Sequence, residues 1–191
     1  QFSDATSASG YADTGFAQGI TSGDYNNDGF PDLFDANIGR NRLYRNNGDG
    51  TFSDVTEEMN LVGTEWTTSA VIADMDGDGN ADLFEVNYCG GKAPYETPCR
   101  SDATGKLASC PPLKFEASAD RIWKNNGTGK FKNVSRDWMQ PTNIGRGLGI
   151  IAGQLDETPG LDLFIANDMS VNHLWSTSSV ASDDSTAAAT T

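Results

Sequence analysis

The sequence predicts an all-β chain of repeated four-stranded antiparallel meanders, and three observations carry that prediction. An acidic loop recurs: 24-DYNNDGFPDLFDAN-37 returns as 74-DMDGDGNADLFEVN-87 and, worn, as 154-QLDETPGLDLFIAN-167. Its flanks are short runs of β-branched, aromatic and alternating residues, which suit half-buried strands. No long stretch has apolar residues at helical spacing, while 21 glycines and many Asn and Asp residues mark tight turns. Four-stranded meanders repeating about every fifty residues read as β-propeller blades.

Each strand is justified by alignment of the copies. The first strand is 18-QGITSG-23, 68-TSAVIA-73 and 148-LGIIAG-153, ahead of the three loops. The second starts at Leu33-Phe34, Leu83-Phe84 and Leu163-Phe164, and closes at Asn37, Asn87 and Asn167. The third and fourth lie in 41-NRLYRNNGDGTFSDVT-56 and 120-DRIWKNNGTGKFKNVS-135. Between them, Asn-Asn-Gly supplies a hairpin turn, because Asn and Gly tolerate the left-handed backbone. The third copy begins as 172-NHLWSTSS-179 and dissolves into a low-complexity tail, 180–191. The opening 2-FSDAT-6 matches 52-FSDVT-56, a last strand. The expected organisation is an outer strand of a preceding blade at 1–6, blades at 7–63 and 64–139, and an incomplete blade at 140–179. The second blade is longer because of an insertion at 88–119.

The acid spacing points to a hard cation. Asp24, Asn26, Asp28 and Asp32 occupy positions 1, 3, 5 and 9 of a loop, and Gly29 at position 6 lets the backbone offer the Phe30 carbonyl at position 7. The second loop supplies Asp74, Asp76, Asp78, the Asn80 carbonyl and Asp82 in the same places. About five or six oxygens of this kind suit calcium; magnesium keeps its waters and demands a strict octahedron. The carboxylates crowded there repel one another without a cation. The third loop keeps Asp156 and Asp162, with Thr158 and the Gly160 carbonyl at positions 5 and 7. It loses the first acid to Gln154 and the glycine to Pro159, so a weak site or none is expected. An EF-hand loop is the competitor, since Asp35 and Glu85 stand at its position 12. The flanks lack helical periodicity, and the third copy has Ile165 there, so the strand-flanked loop is preferred.

The repeats resemble the FG-GAP/VCBS repeat of integrin-α-type β-propellers, through Asp24 to Asp32-Leu33 and through 46-NNGDGTF-52. The segment from Cys110-Pro111-Pro112 into Asp120-Arg121-Ile122-Trp123 is similar to secreted VCBS proteins related to cartilage acidic protein. The resemblance covers about residues 15–175 and implies a fragment of a larger propeller of about seven blades. It also implies structural calcium and a partner-binding face opposite the calcium loops.

The bulk numbers are compatible with that. The 191 residues carry a formal net charge of −14, concentrated in the acidic loops, which argues against nucleic acid and anionic membrane surfaces. No apolar run is long enough for a membrane-spanning helix, and no signal-peptide pattern follows Gln1. Cys89, Cys99 and Cys110 fall together in the insertion and point to an oxidising compartment. The pairing is open from sequence, with Cys89–Cys110 preferred because it closes the inserted loop. One histidine leaves no basis for zinc. His173 aligns with Arg42 and Arg121, so it is a repeat position, expected on an exposed strand face. Trp123 and Trp175 align with Tyr44 and read as packing; Trp66 and Trp138 retain a ligand-contact reading. Every close acid pair belongs to a metal loop, and no nucleophile elbow or phosphate loop appears, so an enzyme is not expected. Asn126 and Asn133 head glycosylation sequons. The expected function is a secreted, calcium-binding propeller module for adhesion or protein interaction, with a protein or glycan ligand. The alternative is a scaffold or carbohydrate-binding module of a larger secreted enzyme.

Overall fold

The computed structural model describes residues 1–11, 13–128, 130–140 and 143–176. The tail expected at 180–191 lies outside them. Three sheets form in chain order. The first is β1 (Phe16–Gly23), β2 (Asp32–Ile38), β3 (Arg42–Asn46) and β4 (Phe52–Asp54), paired as consecutive antiparallel neighbours. The second uses β5 (Thr67–Ala73), β6 (Asp82–Asn87), β9 (Arg121–Asn125) and β10 (Phe131–Asn133) in the same order. The third has β11 (Gly147–Gly153), β12 (Asp162–Asn167) and β13 (His173–Trp175). The chain is therefore all-β with propeller-like repeats, and the sheets do not close into a barrel.

The periodicity reaches down to single residues. Each first strand carries its register irregularity at the same place, between Ala17 and Gly19, Thr67 and Ser69, and Gly147 and Gly149. The second strands are covered on both faces, so they read as near-continuous apolar runs; Phe34, Phe84 and Ile165 are fully buried. One core fills the space between the first and second sheets with Tyr25, Phe34, Leu43, Leu83 and Trp123, and another joins the second to the third through Phe84, Val86, Ile122 and Ile165. The first strands approach closely. A Cβ on Gly19 would stand 2.4 Å from the Thr68 carbonyl oxygen, so only glycine admits this packing.

The insertion runs from the end of β6 to β9. Its stem is zipped by a Cys89–Ala117 bridge and by backbone bonds Gly90 N–H to Glu116 O (2.9 Å) and Ser118 N–H to Tyr88 O (3.1 Å). Beyond the stem lie a one-turn helix α1 (Ala93–Glu96) and a small hairpin of β7 (Cys99–Arg100) and β8 (Leu107–Ala108). The disulfide joins Cys99 to Cys110, not Cys89 to Cys110. Cys89 sits in the stem as a buried free thiol, 1% exposed, held there by the strand bridge. The β7–β8 pairing instead folds Cys99 back beside Cys110, so the bond staples the tip of the insertion.

The opening segment forms no strand. Phe2 is fully exposed and residues 6–10 make a turn, because no strand lies alongside residues 2–6 to give them a ladder. A one-turn helix α2 (Ser135–Trp138) follows β10.

Candidate metal centre

The acidic loops join the first strand of each sheet to the second. Strands, not helices, flank them, which excludes the EF-hand arrangement. Position 12 points elsewhere: Asp35 and Glu85 are buried within β2 and β6, taking hydrogen bonds from the Tyr11 hydroxyl and, at 3.0 Å, from the Asn41 amide. Burial pushes both carboxyls up, partly offset by those hydrogen bonds.

In the second loop, Asp74 accepts the Gly77 N–H (2.8 Å) and Asp78 N–H (3.2 Å) on Oδ1 and the Gly79 N–H (2.9 Å) on Oδ2. Asp76 and Asp78 accept N–H groups of Asp78 and Asn80 at 3.3 and 2.9 Å. These bonds coil the backbone around the carboxylates. Gly77 and Gly79, at φ 78° and 87°, supply the left-handed turns that the coil needs. One carboxylate oxygen from each of Asp74, Asp76 and Asp78 falls within 4.8 Å of the others. The Lys124 ammonium, reaching over from β9, bonds Asp76 and stands 3.1 Å from Asp78. A cationic group thus already lodges among these oxygens.

The first loop repeats the coil. Asp24 accepts the Asp28 N–H (3.1 Å) and the Gly29 N–H (2.8 Å), Asn26 accepts the Asp28 N–H (3.2 Å), and Asp28 accepts the Phe30 N–H (2.9 Å). Asn27 and Gly29 take positive φ, at the places of Gly77 and Gly79. Phe30 and Asn80, at position 7, each lie beneath a hairpin turn, against Gly48 and Gly127. That contact places the Asn-Gly turns and the acidic loops on one end of the molecule. The loops are also tied together: the Asn27 amide donates to the Gly79 carbonyl at 3.0 Å.

Asp32 and Asp82 hold the loops to the sheets. Asp32 accepts the Tyr25 N–H (3.1 Å) and the Asn46 N–H (2.8 Å); Asp82 accepts those of Met75 (3.1 Å) and Asn125 (2.8 Å). Both are fully buried. Burial pushes each carboxyl up to about 6, the backbone donors pull it back, and the loop acids add to the rise. A divalent cation beside them would reverse that cost.

The third loop departs as its sequence does. Asp156 accepts the Thr158 N–H (2.6 Å) and the Ser176 hydroxyl (2.6 Å), and Asp162 accepts the Leu155 N–H (2.6 Å) and Asp156 N–H (3.0 Å). Pro159 cannot take the left-handed turn at position 6; the positive φ moves to Gly160, at 139°. Sequence reasoning missed the strand-three position that reaches the second loop through Lys124 and the third through Ser176. Arg45, Lys124 and Ser176 align two residues after Leu43, Ile122 and Leu174, so alignment of the three copies against strand pairing would have found it.

The other singled-out residues fall mostly into packing. Trp123 is buried in the core. His173 is half-buried rather than exposed, edge-on to Trp175, and shares a cavity of about 710 Å³ with Asp120 and Arg121. Trp138 lies 5.4 Å from the Lys124 ammonium. Trp66 stacks near Tyr88 (5.1 Å) and Tyr95 (6.0 Å) at the root of the insertion.

Repeated antiparallel sheets with acidic loops at one end define a propeller-like repeat protein with a candidate metal centre. Residues 24–85, from the start of the first loop to position 12 of the second, match the family model described as an FG-GAP-like repeat. No curated protein matches the chain.

Proposed function

We propose that the chain is a calcium-stabilised, non-enzymatic interaction module of a secreted protein, serving adhesion or protein binding. The observation that carries the metal is the convergence of Asp74, Asp76 and Asp78, with the Lys124 ammonium drawn in among them. The donor set fits calcium: all oxygens, mostly anionic, from a coil short enough to wrap one ion. Asp24, Asn26, Asp28 and the Phe30 carbonyl form the first set, and Asp74, Asp76, Asp78 and the Asn80 carbonyl form the second. Asp32 and Asp82 complete them with whatever lone pairs the backbone bonds leave. Bound calcium would neutralise the carboxylates and fix the ends of paired strands. Isothermal calorimetry should give two sites, and calcium should raise the melting temperature. Asp78→Ala should lose one site and much of that gain. A chain that takes up no calcium at millimolar concentration would end this reading.

The interaction role rests on the face opposite the loops. The insertion lies there, stapled at its tip by Cys99–Cys110, and the disulfide favours an oxidising compartment. Tyr88 anchors its root to the third sheet by donating its hydroxyl to Asp168 at 2.6 Å. Replacing residues 91–115 with a short Gly-Ser link should abolish partner binding and spare calcium affinity. A second reading, glycan binding, draws on Trp66, Tyr88 and Phe115 around a cavity of about 400 Å³ beside the insertion. A glycan array separates the two.

A further inference from the structure

The chain contains two Asn-Gly bonds, Asn47-Gly48 and Asn126-Gly127. Each lies in the turn between the third and fourth strands of a four-stranded sheet. Such a bond is chemically vulnerable, because glycine has no side chain to keep its nitrogen away from the asparagine amide carbon. The two turns share one backbone. Gly48 and Gly127 both take positive φ, 78° and 71°. Their N–H groups donate to the side-chain oxygens of Asn46 and Asn125, each at 3.0 Å. The attacking nitrogen is therefore presented alike in both turns, and the difference lies in the asparagine that it attacks.

Asn47 is held by its amide nitrogen. Nδ2 donates to Thr51 Oγ1 at 2.9 Å and to Ser53 Oγ at 3.1 Å, and Oδ1 accepts the Ser53 hydroxyl at 3.2 Å. An amide nitrogen committed to two such bonds stays planar and conjugated, which makes it a poor leaving group. The second turn has Lys130 and Lys132 at the places of Thr51 and Ser53, and an ammonium accepts no hydrogen bond. Among the described residues Asn126 Nδ2 has no hydrogen-bond partner. Asn126 Oδ1 instead accepts the Thr128 N–H at 3.1 Å and the Thr128 hydroxyl at 2.5 Å. Two donors on the amide oxygen draw electrons from Cγ. They also stabilise the negative charge that gathers on that oxygen during attack, as an oxyanion hole does. Asn126 is exposed, so water reaches it.

We propose that Asn126 is a site of self-modification in the folded chain, its amide being exchanged for water through a succinimide while Asn47 is preserved. The Gly127 nitrogen forms a bond to Asn126 Cγ, and its proton passes to water; Asn125 Oδ1 keeps that N–H oriented beforehand. The Cγ–Nδ2 bond breaks, and Nδ2 leaves with a proton as ammonia. Water then adds to either carbonyl of the succinimide and opens the ring, to aspartate or isoaspartate. The net change is one water consumed and one ammonia released, with no oxidation. The product adds a negative charge to the turn, and the isoaspartyl form also adds a backbone carbon. Gly127 packs against Asn80, whose Oδ1 lies 2.8 Å from where a Cβ on Gly127 would stand. The altered turn therefore bears on the second acidic loop.

The test incubates the whole, unglycosylated chain at mildly alkaline pH. Peptide mapping by mass spectrometry then measures aspartate and isoaspartate at both Asn-Gly bonds. Asn126 should convert about ten-fold faster than Asn47 in the folded chain, and the two rates should become similar in denaturant. Thr128→Val should slow conversion of Asn126 several-fold in the folded chain and leave the rate in denaturant unchanged. Lys130→Thr with Lys132→Ser carries the hydroxyls of the first turn to the second and should protect Asn126. Thr128, Lys130 and Lys132 are exposed, and circular dichroism verifies that each variant folds. Equal folded-state rates at the two bonds, or a faster rate at Asn47, overturn the proposal. So does a rate difference that persists undiminished in denaturant, or a Thr128→Val chain that converts Asn126 at the wild-type folded rate.

Discussion

Asp120→Asn should stabilise the chain most above pH 7, less at pH 5, and not at all below about pH 4. Asp120 precedes β9 and accepts the Asn87 N–H at 2.8 Å, which fixes the corner where the insertion returns to the sheet. Burial pushes its carboxyl up from 3.8 to about 7, with the Asn87 hydrogen bond as a smaller opposing effect. The other repeats do the same work with an amide: Asn41 accepts the Asn37 N–H at 2.8 Å and Asn172 the Asn167 N–H at 2.9 Å. Asparagine therefore keeps the bond and removes the ionisation. The sign is fixed by the direction of the shift. The folded chain holds a proton that the unfolded chain releases above about pH 4. The stability this contributes is fully present below about pH 4, falls from there, and is lost once pH has risen through about 7. At 1.36 kcal/mol per pH unit the ceiling is about 4 kcal/mol; partial solvent access reduces the expected gain at pH 8 to about 2 kcal/mol. For a chain of this size that is roughly 4–8 °C in melting temperature. The assay is thermal melting of both proteins from pH 5 to 8.5. A gain that does not change with pH, or a variant less stable than wild type at pH 8, would refute the reasoning.

Lys124→Ala should raise calcium affinity several-fold, since an entering ion no longer displaces the ammonium from Asp76 and Asp78, and should lower stability when calcium is chelated; calorimetry and melting in chelator check both. Gln154→Asp, Thr158→Asp and Pro159→Gly together restore the loop pattern and should add a third calcium to the titration. Gly19→Ala should cost about 1–3 kcal/mol in denaturant unfolding, because its Cβ would collide with the Thr68 carbonyl and the innermost strands would have to part. Cys99→Ser should expose residues 100–109 to limited proteolysis while leaving the melting of the sheets nearly unchanged, because the bond closes only the tip of the insertion.

The sequence was most legible where the structure repeats. Strand order, the strand flanks of the loops and the alignment of His173 with Arg42 and Arg121 all follow from matching one copy against another. Three copies expose any position whose residue type is set by local geometry. Non-repeated features were less legible. Cys89, Cys99 and Cys110 share one short region, and spacing does not rank their pairings. Strand bridging at the stem, which holds Cys89 at Ala117, made the choice.

By itself the sequence determined the repeat, the period-two strands and the coil of alternating acids, because these depend on backbone preferences over a few residues. Only the tertiary structure decided what those acids face. It turned Asp35 and Glu85 into the sheet interior, brought Lys124 onto Asp76 and Asp78, and raised the Asp32, Asp82 and Asp120 carboxyls by burying them. Charge, burial and partner are set by residues tens of positions away along the chain, and that distance is why local pattern did not reveal them.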